Sequence, residues 1–257
     1  MDRNPQAKEM ADESIWPLPD APAILDVGSA IRIATPCGWS RSSPPAYASR
    51  MQPQFWRDAW SAGKINFHEG KPNSFLAAHA SVLAGTSVLV PLCGKTEDLA
   101  FLAAHHHTVV GIELVEDAVA AFFAEHALTP HIERRGPLAL YSAEAVTIIA
   151  GDFFAVTRED VGPIDALYDR AALVALPADV RVRYIAHLRT LLTGATPGLL
   201  VTLDYPQDAM DGPPFAISDP EVRRHYPQAE ELASRPASGG RIGALGTAVE
   251  RCYRIAL

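Results

Sequence analysis

Three places in this chain put reactive or charged side chains where an apolar run gives way to a turn. The first is Pro91-Leu92-Cys93-Gly94-Lys95-Thr96. The second is Glu113, 19 positions after Gly94. An acidic residue about 20 positions beyond a glycine turn is where a nucleoside ribose is held in dinucleotide-binding sheets. Its carboxylate can accept hydrogen bonds from both ribose hydroxyls. The alternative is a solvated carboxylate at a helix start, because Glu116 and Asp117 follow. The third place is Asp169-Arg170, where Arg170 either contacts a ligand or pairs with Asp169 or Asp152. Gly94-Lys95-Thr96 resembles the end of a phosphate-binding loop, but Leu89 stands where that loop needs glycine. A GxGxxG fingerprint is also missing, which argues against NAD or FAD. His105-His106-His107 are consecutive and point different ways, whereas metal ligands gather at i, i+4 or from separate segments, so no metal is expected. Cys93 is either a nucleophile at a helix N-terminus or a small residue packed into the turn.

Positioning these groups requires strands that end together. Residues 86–92, 108–114, 138–141, 145–150, 163–168, 198–204 and 247–255 are short apolar or β-branched runs that read as strands. Between them, Thr96 can cap a helix carrying Leu99, Leu102 and Ala103 on one face. Residues 116–127 form another with Val119, Phe122 and Phe123 as its stripe. Pro177 opens a third, with Val180, Tyr184, Leu188 and Leu191 at helical spacing. Such alternation predicts a mostly parallel sheet with helices on both faces. Ligands bind beyond the carboxyl ends of such strands. That rule gathers Pro91–Lys95, Glu113, Gly151–Phe153, Asp169-Arg170 and Asp204-Tyr205 at one edge, with Gly212-Pro213-Pro214-Phe215 as a stiff loop fit to wall a pocket.

Composition narrows the partners. The 257 residues carry a net charge of -8, which argues against nucleic acid, and apolar content is ordinary for a globular domain. No run approaches the roughly 18 apolar residues of a membrane span. Three cysteines without a CxxC pair point to a reducing cytoplasm. Seven of the 21 prolines fall in residues 1–50, which show no sustained apolar period and no secretory signal. This segment is expected to be a disordered extension or an upstream start, with Met51 opening the domain that runs over residues 51–257.

The ordered motifs PLCGKTEDLAFLA, VVGIEL, GDFF, YDRAALVALP and GPPFAIS, with Phe55-Trp56, Trp60 and Phe67-His68 before them, resemble the thiopurine S-methyltransferase family, bacterial type. The likeness runs from Met51 to near the end. It implies an α/β, class I S-adenosylmethionine-dependent methyltransferase (Rossmann-like) fold, a seven-stranded sheet with an antiparallel last strand. It also implies that Trp60, Leu92, Glu113 and Arg170 contact S-adenosyl-L-methionine, that Asp152 and Phe153 hold the adenine, and that Glu113 takes the ribose. Phe67, Pro91, Arg170, Pro213, Pro214, Phe215 and Arg241 match positions near the acceptor. His106 and Asn66 stand where the family commonly has glycine, and Ser74 where it has proline. The acceptor implied is a small thiol, thiopurine-like, or its selenium or tellurium analogue, methylated by a cytoplasmic monomer. Arg170 can steady an anionic acceptor, and His68 or Asp204 can accept a proton. A halide or inorganic thiol methyltransferase of related fold, or a cofactor-binding module without turnover, are the alternatives.

Overall fold

Period-two burial of the apolar runs decides the architecture. In β1 (Ser87–Pro91), Val88 and Val90 face one core while Leu89 faces the other. The same alternation recurs in β2 (Thr108–Glu113), β5 (Val146–Ala150), β6 (Ala166–Arg170) and β7 (Pro197–Asp204). Strands apolar on both faces must be covered twice. One face is covered by α2 (Ser74–His79), α3 (Glu97–Ala104) and α4 (Glu116–Glu125), which bury Phe75, Leu76, Leu99, Leu102, Val119, Phe122 and Phe123. The other is covered by α5 (Arg158–Val161), α6 (Ala178–Leu191) and α7 (Asp219–His225), with Val161, Tyr184, Ile185, Leu188, Leu191 and Val222. The computed structural model describes residues 53–63, 68–105 and 107–257. Residues 1–50 with the boundary at Met51, and Asn66, Phe67 and His106, lie outside the described residues.

The strands form one sheet in the order β3-β4-β5-β2-β1-β6-β7-β9-β8, where β3 is His131–Arg135, β4 Leu138–Ala143, β8 Glu230–Pro236 and β9 Val249–Ala256. The five strands from β5 to β7 are parallel, and β9 runs antiparallel to both β7 and β8. The expected seven strands are therefore corrected to nine among the described residues. The two additions are β3 and β8, which have charged sequences (HIERR, EELASRP) and sit at the sheet's two edges. Charge is how edge strands resist pairing with other chains, and it erases the apolar alternation by which a strand is read.

Two boundaries also move. The strand expected at 163–168 is β6, Ala166–Arg170. Pro163 has no N–H to give a ladder, and Asp165 turns its carboxylate to the backbone N–H groups of Thr86 and Ser87 at 2.8 and 3.0 Å. Asp169 and Arg170 thus lie within the strand and face opposite ways. Pro177 precedes α6 as its cap residue. After β1 the chain goes to β2 and on to β5, whereas β6 and β7 lie on the other side, so the order reverses between β1 and β6.

Candidate functional site

The reversal point carries the predicted residues. The β1–α3 turn is tight, with Leu92 at φ 48° and Gly94 at φ 57°. A positive φ is uncommon for a residue with a side chain, and such positions cluster at functional sites. At the end of β6, Ala171 adopts φ 63°. His68, Leu92, Cys93, Lys95, Thr96, Arg170 and Ala171 line one small cavity between these two turns.

Glu113 closes the adjacent strand. It is buried, and its two carboxylate oxygens accept the N–H groups of Gly94 and Val115, both at 2.8 Å. Burial pushes its proton affinity up, and N–H groups of Val115, Gly94 and Leu114 pull it back. Each oxygen keeps a lone pair, so two ligand hydroxyls can be accepted beside the backbone donors. The absence of a side chain at Gly94 leaves the approach open. The helix-start alternative therefore yields: Glu113 ends β2, and Glu116 and Asp117 occupy the first turn of α4.

Cys93 is a packed thiol. Its N–H donates to Ile112 O at 3.0 Å, and its Sγ fills the space where a Cβ on Gly111 would sit, 2.8 Å away. Burial first and the Glu113 charge second push the thiol well above its usual range, which keeps it protonated and non-nucleophilic.

Arg170 pairs with Glu69, a contact across 101 positions that the sequence reading did not find. Asp169 points to the opposite face, accepting Leu173 N–H at 3.1 Å and Tyr184 O–H at 2.8 Å. Tyr168, two residues before Arg170 and on its face, donates to the buried Asp98 at 2.9 Å. Asp98 also accepts Asn73 N–H at 2.7 Å, and the Asn73 amide reaches Glu69 at 3.4 Å. Asn73 caps α2 through Phe75 N–H at 2.9 Å, a bond of about 1 kcal/mol. Ser74 is thus the first helical residue, where proline is well tolerated. This chain of bonds fastens residues 69–73 to the end of β6. No local pattern signals it, because its partners come from three separate segments.

His68 sits one residue before this fastening. Its Nδ1 is buried and has no hydrogen-bond partner among the described residues. An unmet buried polar atom costs about 1–3 kcal/mol.

The other predicted residues spread around this centre. Pro91 is the buried last residue of β1. Asp152 is exposed after β5 and caps a short turn through Phe154 N–H at 3.0 Å. The Phe153 side chain packs into the core, 5.0 Å from the ring centres of both Tyr184 and His187, leaving its backbone toward the strand ends. Phe215 is buried against Gly212 and donates its N–H to Val174 O at 2.6 Å. Through that bond Pro213, Pro214 and Phe215 are tied to the loop that follows Arg170. Asp204 accepts Arg251 Nε at 3.2 Å, which engages it structurally. Arg241 is exposed in α8 (Gly240–Ala244), near enough to Tyr205 for its charge to act on that hydroxyl. Trp60 is half-buried in the last turn of α1 (Pro53–Ser61).

A larger cavity, about 330 Å³, opens at the opposite end of the sheet beside Arg158, Asp165 and Thr193. Its polar groups are spent on the fold. Asp165 holds Thr86 and Ser87, and Arg158 holds the carbonyls of Thr190 and Leu192. No helix among the described residues is long and apolar enough to cross a membrane.

Comparison with known proteins identifies the fold and the family. The chain is 50% identical over 175 residues to a thiopurine S-methyltransferase of Pseudomonas fluorescens strain SBW25, covering 67% of this chain and 80% of that one. It is 49% identical over 179 residues to the thiopurine S-methyltransferase of Pseudomonas aeruginosa strain UCBPP-PA14, covering 68% and 82%. Its fold is similar to that of the Burkholderia thailandensis 1,6-didemethyltoxoflavin-N1-methyltransferase, with TM-score 0.55, 16% identity and coverage of 87% and 93%. It is also similar to that of magnesium protoporphyrin IX methyltransferase from Synechocystis PCC 6803, with TM-score 0.52, 14% identity and coverage of 80% and 99%. Residues 51–237 match the thiopurine S-methyltransferase family. The chain belongs to that family, and is an S-adenosylmethionine-dependent methyltransferase of the class I fold.

Proposed function

We propose that this protein methylates the sulfur of small thiol acceptors, thiopurine-like heteroaromatic thiols among them, with selenium and tellurium analogues as further acceptors. The observation that carries the reading is Glu113 at the end of β2, buried and oriented by the N–H groups of Gly94 and Val115. The site suits the cofactor in its donors too. Glu113 would hold the ribose hydroxyls. Leu92, Trp60 and Arg170 would contact the rest of the cofactor, with Asp152 and the Phe153 backbone beside the adenine. When bound, S-adenosylmethionine supplies an activated methyl on a sulfonium.

The protein's own contribution is positioning, worth up to roughly 7–11 kcal/mol in favourable cases. Cys93, held as a thiol, fits a direct transfer without a covalent enzyme intermediate. Thiols of low pKa arrive ionised and need no strong base. Arg170 would steady the anion. Phe67, Pro91, the Pro213–Phe215 loop and Arg241 would wall the acceptor. Residues 51–257 form the catalytic unit, a cytoplasmic monomer, and residues 1–50 are an upstream extension; recovery of peptides from 1–50 in the native protein would refute that last point.

The test is radiolabelled methyl transfer to thiopurine, small thiol, selenium, tellurium and halide acceptors. Transfer to heteroaromatic thiols is expected. Transfer only to halide or inorganic sulfide would replace this reading with a halide or inorganic thiol methyltransferase. No transfer at all, with cofactor bound, would leave a binding module. Arg170→Ala is expected to lower turnover about a hundredfold, near 2.7 kcal/mol, while thermal unfolding shifts little. Equal turnover at saturating cofactor would count against the role of Arg170.

A further inference from the structure

We propose that His68 binds the amino-acid end of the cofactor, its Nδ1–H donating to the α-carboxylate that Arg170 also grips. The inference rests on the cofactor reading above and adds a residue to it.

The sheet gives the cofactor a direction. Gly151–Phe153 follow β5, Glu113 ends β2, Leu92 follows β1 and Arg170 ends β6, and these strands are neighbours in that order. Adjacent strands lie about 4.8 Å apart, so β6 is roughly 10 Å beyond β2. With the adenine at β5 and the ribose on Glu113, the amino-acid chain is carried across β1 toward β6. The cavity at that far end is lined by His68, Arg170 and Lys95. Both cations already carry a protein carboxylate, Glu69 on Arg170 and Glu125 on Lys95, so a ligand carboxylate would share or replace Glu69 on the Arg170 guanidinium. The Glu69 carboxylate already lies on the Arg170 guanidinium, so the geometry of that grip exists in the fold.

Among the described residues of this cavity, His68 holds a buried polar atom, Nδ1, with no hydrogen-bond partner. Lys95 is paired with Glu125, and Thr96 caps α3 by accepting Asp98 N–H. The backbone that follows the ring is tied down beforehand. The next residue pairs with Arg170, and Asn73 ties the same segment to Asp98 at 2.7 Å. A donor fixed before the ligand arrives loses little entropy on binding.

Calorimetric titration with three probes tests the assignment. S-adenosylhomocysteine has the whole amino-acid end, its decarboxylated analogue lacks only the carboxylate, and 5′-methylthioadenosine lacks the amino acid. His68→Ala is expected to weaken S-adenosylhomocysteine about tenfold, the scale of one hydrogen bond to a charged group, and to leave the other two unchanged. Unchanged binding of those two also shows that the variant is folded. His68→Asn, which keeps an amide nitrogen near the Nδ1 position, should retain the affinity, and His68→Gln should lose it like alanine. Unchanged S-adenosylhomocysteine affinity in His68→Ala overturns the proposal, as does equal weakening of all three probes. If the unsubstituted protein binds none of the three, the cofactor reading itself fails.

Discussion

The ends of β2 and β6 each carry a buried carboxylate, and the two have opposite fates. Glu113 is 7% exposed and accepts two backbone N–H groups, from Gly94 and Val115. Asp169 is 0% exposed and accepts one N–H, from Leu173, and one O–H, from Tyr184. Both tie a strand end to a turn. Glu113 closes its strand beside the β1 turn, and its carboxylate keeps spare lone pairs for a ligand. Asp169 looks into the core beneath α6, sealed by Tyr184. Position along the strand decides which face a carboxylate sees, and a shift of one residue exchanges the two fates. On β6 it is Arg170, one residue on, that reaches the site.

The largest effect that separates them is on stability. Burial pushes Asp169 from its usual 3.8 up to about 6. Native Asp169 therefore keeps its proton where the unfolded chain has released it. The native state binds more protons between about pH 4 and 6, so this group's contribution falls as pH rises through that window and is flat above it. A shift of about two units amounts to about 3 kcal/mol. Urea unfolding from pH 4 to 7 should show Asp169→Asn losing less stability over the window than the parent. Parallel curves would mean that Asp169 ionises as if exposed.

Glu113 is expected to act on binding instead. Glu113→Ala should weaken S-adenosylhomocysteine at least tenfold, about 1.4 kcal/mol, in calorimetric titration. The same titration on Asp169→Asn should show little change. If both variants lose affinity equally, the contrast between an open and a sealed carboxylate is wrong.

The contrast also explains what the sequence could disclose. The parallel centre was legible because every strand there is apolar on both faces, and the β1 turn because Gly94 and Glu113 keep a recognisable spacing. The edges β3 and β8 were not, since HIERR and EELASRP bury no full face. The face of each residue in Asp169-Arg170 was hidden by the start of β6, which Asp165 delays by binding Thr86 and Ser87. Glu69 was hidden more deeply. Its partner lies 101 positions away, and only the folded sheet brings the two together.

The smallest expected effect tests whether the acceptor side is as rigid as the cofactor side. Gly212 has φ 70°, and a Cβ there would lie 2.5 Å from the Phe215 ring. Alanine at that position must displace the ring, which is held by Phe215 N–H on Val174 O and lies 5.9 Å from the Arg181 guanidinium. Gly212 and Phe215 are both buried, so overpacking should cost about 1–3 kcal/mol of stability, and the positive φ adds strain to it. Gly212→Ala should raise the acceptor KM about threefold, less than 1 kcal/mol, and leave S-adenosylhomocysteine affinity unchanged. A change in both would mean that the loop after Arg170 couples the two halves through Val174. A change in neither would place the acceptor away from Phe215, nearer the His68 side of the cavity.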